Sequence, residues 1–237
     1  MKNTDINLIK FNIVNIDKII YNLNMSVRKI KKSYISCTGY FASYKNKTQV
    51  AFESVLERDF YMMLEFDEQV LKYEEQPLSI QYTYPDGNKR RYTPDTLVTY
   101  TNKSQRLYEV KYADELKNNK ELQIKIEALK THLHDEHHLR FDVFTDEDIN
   151  KIYLENLKFL YNYAFIPQDK DKLNNINKIL NNTDKITVKQ VLNTIESSTS
   201  KQLLLLPYIW YYVFLNHKVV NLYKKLTMNT ILEKKWC

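Results

Sequence analysis

The chain has 237 residues, 43% hydrophobic and 13% aromatic, with 35 Lys plus Arg against 29 Asp plus Glu for a net charge of +6. Two glycines and five prolines exclude a collagen-like or Gly/Pro-rich polymer, and two cysteines, Cys37 and Cys237, exclude a disulfide framework or a cysteine-based zinc site. The longest apolar run, Leu203 to Leu215, is thirteen residues and contains Pro207. It falls short of the roughly 20 residues a bilayer span needs. With no uninterrupted apolar leader near the N-terminus, no membrane role and a reducing, cytoplasmic setting are expected.

The charge is uneven. Residues 1–50 carry a net +7, residues 51–167 a net −7 and residues 168–237 a net +6. Phosphate-binding arms around an acidic, metal-binding centre would give this pattern. Lys-rich peripheries on an ordinary protein would also give it, because 29 of the basic residues are Lys and only six are Arg, as AT-rich coding produces.

In chain order, residues 1–25 show no clean period, and Arg28-Lys29-Ile30-Lys31-Lys32 is a short basic run. Gly39, after Ser36-Cys37-Thr38, is expected to serve a turn that needs positive φ. Phe52, Val55, Leu56, Phe60, Met63 and Leu64 recur at helical spacing over Phe52–Phe66. The start of that helix is not marked, Ser54 being a poorer cap than the chain just before it. Glu53 and Glu57 lie at the edge of its apolar stripe.

A strand-rich block follows. Leu78, Ile80, Tyr82 and Tyr84 alternate with polar residues before the turn Pro85-Asp86-Gly87-Asn88. Arg90–Tyr92 starts a return strand, Thr93-Pro94-Asp95 interrupts it, and Thr96–Tyr100 and Leu107–Lys111 are further strands. Lys117–Leu133 is predicted helical, with Leu122, Ile126, Leu129 and Leu133 on one face, and Phe141 and Val143 mark a strand. Thr145 is expected to cap a helix opening on Asp146-Glu147-Asp148, whose carboxylates suit a helix N-terminus. Beyond Pro167 and the polar stretch 168–172, Val188–Ile195 and Lys201–Asn216 are predicted helices. Val219–Leu222 is predicted extended, with Lys224-Lys225 after it. That order suits a winged helix or a generic helical interaction domain.

The residues that carry chemistry are Glu57, Asp95, Glu109 and Lys111. Residues two apart in a strand share a face, so Glu109 and Lys111 point the same way. Asp95, on the preceding strand of a hairpin-like pair, can reach the same spot. Two carboxylates and a lysine on adjacent strands, with a further carboxylate from a helix, form a phosphodiesterase site in which oxygen ligands hold Mg²⁺. The lysine orients water and offsets charge on phosphorus. A surface ion pair between Glu109 and Lys111 accounts for the same residues without chemistry.

At these positions the sequence also resembles a known family. Glu53-Ser-Val-Leu-Glu-Arg-Asp-Phe60, Leu64-Glu-Phe-Asp67, Glu75-Gln76-Pro77, Tyr92-Thr-Pro-Asp95 and Tyr108-Glu-Val-Lys111 resemble the TnsA endonucleases of Tn-seven-like heteromeric transposases. So do Arg28-Lys-Ile, Ser36-Cys-Thr-Gly39-Tyr-Phe41, Leu206-Pro-Tyr-Ile-Trp210 and Leu226-Thr-Met228, giving coverage of roughly residues 26–237.

The resemblance implies an α/β, restriction-endonuclease-like core, a mixed central sheet flanked by helices, over residues 51–167. A basic N-terminal segment, 1–50, leads into it, and a small helical, winged-helix-like domain, 168–237, follows. It implies Glu57, Asp95, Glu109 and Lys111 as catalytic residues, with Glu57, Asp95 and Glu109 holding Mg²⁺ (Mn²⁺ as substitute) and Glu53 a second candidate. The family position matched by Glu109 can be Gln. The expected reaction is cleavage of the 5′ strand at transposon ends, beside a TnsB-like transposase that handles the 3′ ends. Double-stranded DNA and a TnsC-like AAA+ ATPase are expected to meet the C-terminal region, in the bacterial cytoplasm at the nucleoid. A stand-alone restriction- or repair-type nuclease in defence, and a catalytically silent adaptor, are the alternatives.

Other clusters have plainer explanations. His132, His134, His137 and His138 crowd one helix end, where His134 and His138 would share a metal only if the helix continued. Cys37 with a histidine lacks any local nucleophile motif. Tyr208–Tyr212 with Trp210 could stack bases, but at helical spacing in an apolar run these side chains suit a core.

Overall fold

The computed structural model describes residues 37–233; the basic run at Arg28–Lys32 lies outside them. A hairpin opens the described chain, with β1 (Gly39–Ser43) antiparallel to β2 (Thr48–Phe52). Then come α1 (Val55–Phe66), β3 (Val70–Glu75), a second hairpin of β4 (Ile80–Thr83) and β5 (Lys89–Tyr92), and β6 (Thr96–Tyr100) and β7 (Gln105–Val110). Two helices, α2 (Ala113–Asn118) and α3 (Lys120–His137), cross over to β8 (Arg140–Phe144). The C-terminal part holds α4 (Lys151–Tyr161), α5 (Lys170–Asn181), β9 (Lys185–Thr187), α6 (Val188–Ile195), α7 (Thr199–Leu215) and β10 (Ile231–Glu233), which pairs with β9.

The central sheet has the order β3-β6-β7-β8 and is mixed: β3, β6 and β7 pair antiparallel, while β8 lies parallel to β7. Strand alternation sends successive side chains to opposite faces, and two separate apolar cores form. Val70, Tyr73, Val98 and Val110 join α1, α4 and the C-terminal helices in the larger one. Leu97, Leu107 and Phe141 join Leu122, Ile126, Leu129 and Leu133 of α3, together with Ile80 and Tyr82 of the second hairpin, in the smaller. The expected fold class, a mixed sheet flanked by helices, is therefore present. Among the described residues no helix is long and apolar enough to cross a membrane.

Several local expectations are corrected. Gly39 has no positive φ; a Cβ there would lie 2.7 Å from the Phe52 ring across the β1–β2 pair, so the constraint is close approach. Ser54 is the cap of α1, accepting a hydrogen bond from the Glu57 N–H at 3.0 Å, and Phe52 belongs to β2. The helix expected at Asp146 is only a 3-10 turn, Asp146–Asp148, closed by a Thr145–Asp148 capping box. Its successor α4 starts after Asn150. Asn119 splits the helix expected over 117–133 by ending α2 and capping α3. Val219–Leu222 forms no strand: His217–Val219 is a 3-10 turn, and the returning strand comes at Ile231.

One buried side chain fixes that last segment. Asn156 of α4, 4% exposed, donates to the Leu222 and Lys224 carbonyls at 2.8 Å each and accepts from the Leu226 N–H at 3.1 Å. Replacing it with Ala leaves three backbone groups without their partner, and such groups cost roughly 1–3 kcal/mol each when they stay buried. Asn156→Ala is therefore expected to lose about 3 kcal/mol in denaturant unfolding. It is also expected to speed amide exchange around 222–226 before it affects the central sheet.

Candidate active site

Asp95, Glu109 and Lys111 meet where β6 begins and β7 ends, whereas the hydrogen bonds of Glu57, on α1, go to Glu53 and Ser54. Asp95 immediately precedes β6, and its position is fixed through both backbone and side chain. Its carbonyl accepts the Gln76 N–H at 2.9 Å, and its Oδ2 accepts the Val110 N–H at 2.8 Å. Gln76, at φ +40, is a non-glycine residue in the left-handed region, a conformation held only where surrounding contacts enforce it. Its side chain reaches Glu53 Oε1 at 3.2 Å. Glu53 thus supports the Asp95 loop through Gln76.

Glu109 lies on the Leu107 face of β7 and is 2% exposed, a carboxylate on the inner side of the sheet. Lys111 Nζ bridges it to Asp95, at 3.1 Å from Glu109 Oε1 and 3.5 Å from Asp95 Oδ2. The same ammonium donates to the Val110 carbonyl at 3.2 Å. The Lys111 N–H donates to the Phe144 carbonyl at 3.0 Å, continuing the β7–β8 pairing and fixing the base of the side chain. Glu109 and Lys111 are therefore an inward, partly enclosed pair, unlike a solvated surface ion pair.

Glu57 enters from the first turn of α1. Its Oε1 accepts the Ser54 hydroxyl and its Oε2 the Glu53 N–H, each at 2.9 Å. This turns the carboxylate back toward the helix N-terminus, as in a capping box. Capping explains that orientation, and the electrostatics tie Glu57 to the site. Burial pushes its pKa up, the Glu53 and Ser54 hydrogen bonds and the Lys111 charge oppose the rise, and the Asp95 charge adds to it.

Burial likewise pushes the Glu109 carboxyl up, against the pull of Lys111 and Lys125. For Lys111 burial acts downward, but the charges of Asp95 and Glu109 outweigh it and hold the ammonium above its ordinary range.

Lys125 is a residue that the sequence reasoning missed. Its Nζ lies 4.0 Å from Glu109 Oε1 and 4.6 Å from the centre of the Tyr92 ring. The signal was available: Lys125 is three residues after Leu122 and four before Leu129, on the inward stripe of α3. The other clusters resolve simply. Trp210 and Tyr211 are buried, with Trp210 edge-on to Phe159 at 5.0 Å, so they belong to the core. Helix α3 runs through His137 and ends with His138 in the left-handed region, while His134 pairs with Asp135 at 2.9 Å. Cys37 is exposed.

Among the described residues no three His, Cys, Asp or Glu side chains stand together at metal-binding spacing; Asp95 and Glu109 are joined by the Lys111 ammonium instead. Two features nonetheless suit a divalent cation. Every carboxylate donor here is a hard oxygen, and Glu109 Oε2 is buried with no hydrogen-bond partner.

A pH dependence follows from the Glu109 shift. A carboxyl with a raised folded pKa costs stability as pH climbs from its unfolded value through the folded one, and costs nothing below both. Glu109→Gln is therefore expected to gain stability over the native chain between pH 4 and pH 7 in chelator. Denaturant unfolding at the two pH values checks this; an advantage that is flat or shrinks toward pH 7 contradicts the buried-carboxylate geometry.

Comparison with known families accounts for most of the described chain. A model described as TnsA-like endonuclease N terminal matches residues 67–146, and one described as TnsA endonuclease C terminal matches residues 148–222. A search of curated proteins found no match. The first match spans Asp95, Glu109 and Lys111, whereas Glu57 precedes it. With both halves matched in order on one chain, the protein belongs to the TnsA endonuclease family and is an endonuclease subunit of a transposase.

Proposed function

We propose that this chain is a Mg²⁺-dependent DNA endonuclease that cuts the 5′, non-transferred strand at transposon ends, beside a TnsB-like transposase that processes the 3′ ends. The observation that supports it most directly is the Lys111 ammonium between the Asp95 and Glu109 carboxylates at the open end of β6 and β7. Asp95 and Glu109 would hold the cation, with Glu57 at its side. The bound ion supplies Lewis-acid polarisation of the phosphate and a lowered pKa for water.

The protein's own residues do the rest. Asp95, with one oxygen engaged by the Val110 N–H, presents its carboxylate in a fixed orientation. Lys111 keeps its proton in this field, so it orients water by hydrogen bonding and offsets negative charge as water oxygen bonds to phosphorus and the bridging P–O bond breaks. Glu57, held by Ser54 and the Glu53 N–H, adds a further carboxylate oxygen from α1. The C-terminal match supports assembly with partners over stand-alone defence, and we assign the TnsC-like ATPase contact to the C-terminal region.

The test is strand-specific nicking of transposon-end DNA with the partner transposase present. Asp95→Ala and Lys111→Ala are each expected to lower the cleavage rate by about 10²-fold or more. EDTA is expected to abolish cleavage, with Mg²⁺ or Mn²⁺ restoring it. Undiminished cleavage by either variant removes the site assignment, and cleavage that survives EDTA removes the metal.

A further inference from the structure

The second hairpin presents a face that the nuclease site does not use. Its inner side chains, Ile80 and Tyr82, are buried against α3, and Tyr92 packs edge-on to Phe141 at 6.2 Å. The register pairs Gln81 with Arg91 and Thr83 with Lys89. Cross-strand partners share a face, so these four side chains form the outer surface, and all four are exposed. Of the three consecutive cations on β5, Arg90 points inward: it stacks 3.5 Å over the Tyr84 ring and pairs with Asp86 at 2.8 Å and Glu121 at 3.6 Å. Lys89 and Arg91 have no carboxylate within 4.0 Å among the described residues. They stand about 7 Å apart along the strand, in a block of chain whose net charge is −7.

The ribbon is also joined to the active site twice. Through the chain, β5 leads from Arg91 to Asp95 with only Tyr92, Thr93 and Pro94 between them. Through space, Lys125 lies over the Tyr92 ring at 4.6 Å and 4.0 Å from Glu109. The ribbon that carries the outer face is therefore joined directly to the segment that holds Asp95. An amide, a hydroxyl and two unpaired cations, with no apolar side chain among them, suit phosphate oxygens. A protein interface would need an apolar centre.

We infer that the β4–β5 ribbon is a DNA-contacting arm. Lys89 and Arg91 neutralise phosphates of the duplex next to the cleavage point, and Gln81 and Thr83 hydrogen-bond to the same backbone. This rests on the nuclease reading above but concerns binding, so the two can fail separately. Each phosphate contact contributes about 0.9 to the slope of log affinity against log salt.

The experiment titrates the full chain onto a fluorescent duplex in chelator across a series of NaCl concentrations. Lys89→Ala/Arg91→Ala is expected to flatten the slope by about 2, and Lys89→Arg/Arg91→Lys to keep it. Lys103→Ala, in the β6–β7 turn, is also expected to keep it. A double-alanine slope equal to that of the native chain overturns the arm, as does an equal drop in Lys103→Ala, and as does an affinity loss without a slope change. An unchanged slope with cleavage intact removes the arm and leaves the nuclease. A flattened slope in a chain that never cleaves removes the nuclease and keeps the arm.

Discussion

The hydrogen bond from the Val110 N–H to the Asp95 carboxylate, 2.8 Å long, is the contact on which the rest of the site depends. The β6–β7 ladder ends at Thr96 and Tyr108, and beyond it the backbone donors of β7 need acceptors that β6 no longer supplies. A carboxylate takes that place, so the strand end is closed by the side chain we propose as a catalytic group. A charge-assisted bond of this kind contributes roughly 1.5–3 kcal/mol. With Gln76 holding the Asp95 carbonyl at the same time, neither the backbone nor the side chain of Asp95 is free to drift. Lys111 and Glu109 are then aligned by strand geometry alone.

That alignment has an energetic consequence. The sheet divides two apolar cores, and Glu109 emerges on the side of the smaller one, beside Leu107. Burying a carboxylate there is unfavourable unless cations compensate, and Lys111 and Lys125 both approach the same oxygen. The other oxygen has no partner. The native chain thus carries an incompletely satisfied buried charge, and under the proposed function that is a trade of stability against activity.

Much of this was legible from residue order, and the exceptions have physical causes. The second hairpin alternates cleanly, and the acid-x-Lys spacing alone puts Glu109 and Lys111 on one face. β3 was missed because a register shift between Val70 and Lys72 breaks its alternation. α5 was missed because its burying residues, Ile176 and Leu180, are embedded among asparagines and lysines. Gly39 was misread because a clash with a ring thirteen residues away leaves no local trace. Segment charge points toward the termini, and Lys89 and Arg91 of the second hairpin, without a carboxylate within 4.0 Å among the described residues, stand inside the acidic block. A sum over a hundred residues cannot resolve which face of a four-residue strand a lysine occupies. Lys125 stood on the inward stripe of α3, but which carboxylate it meets depends on the sheet, since Glu109 lies on another element.

The larger core also bears on how such a protein can be inherited. Phe60, Leu64 and Phe66 of α1 pack in one continuous cluster with Leu157 and Leu160 of α4 and with Ile209, Trp210 and Phe214 of α7. The two family matches meet at residues 146 and 148, so α4 and α7 belong to the second half while α1 precedes the first. Gene fission at that junction would leave each product with a large bare apolar face. Recombination that shuffled the halves would have to carry matching aromatic surfaces with it.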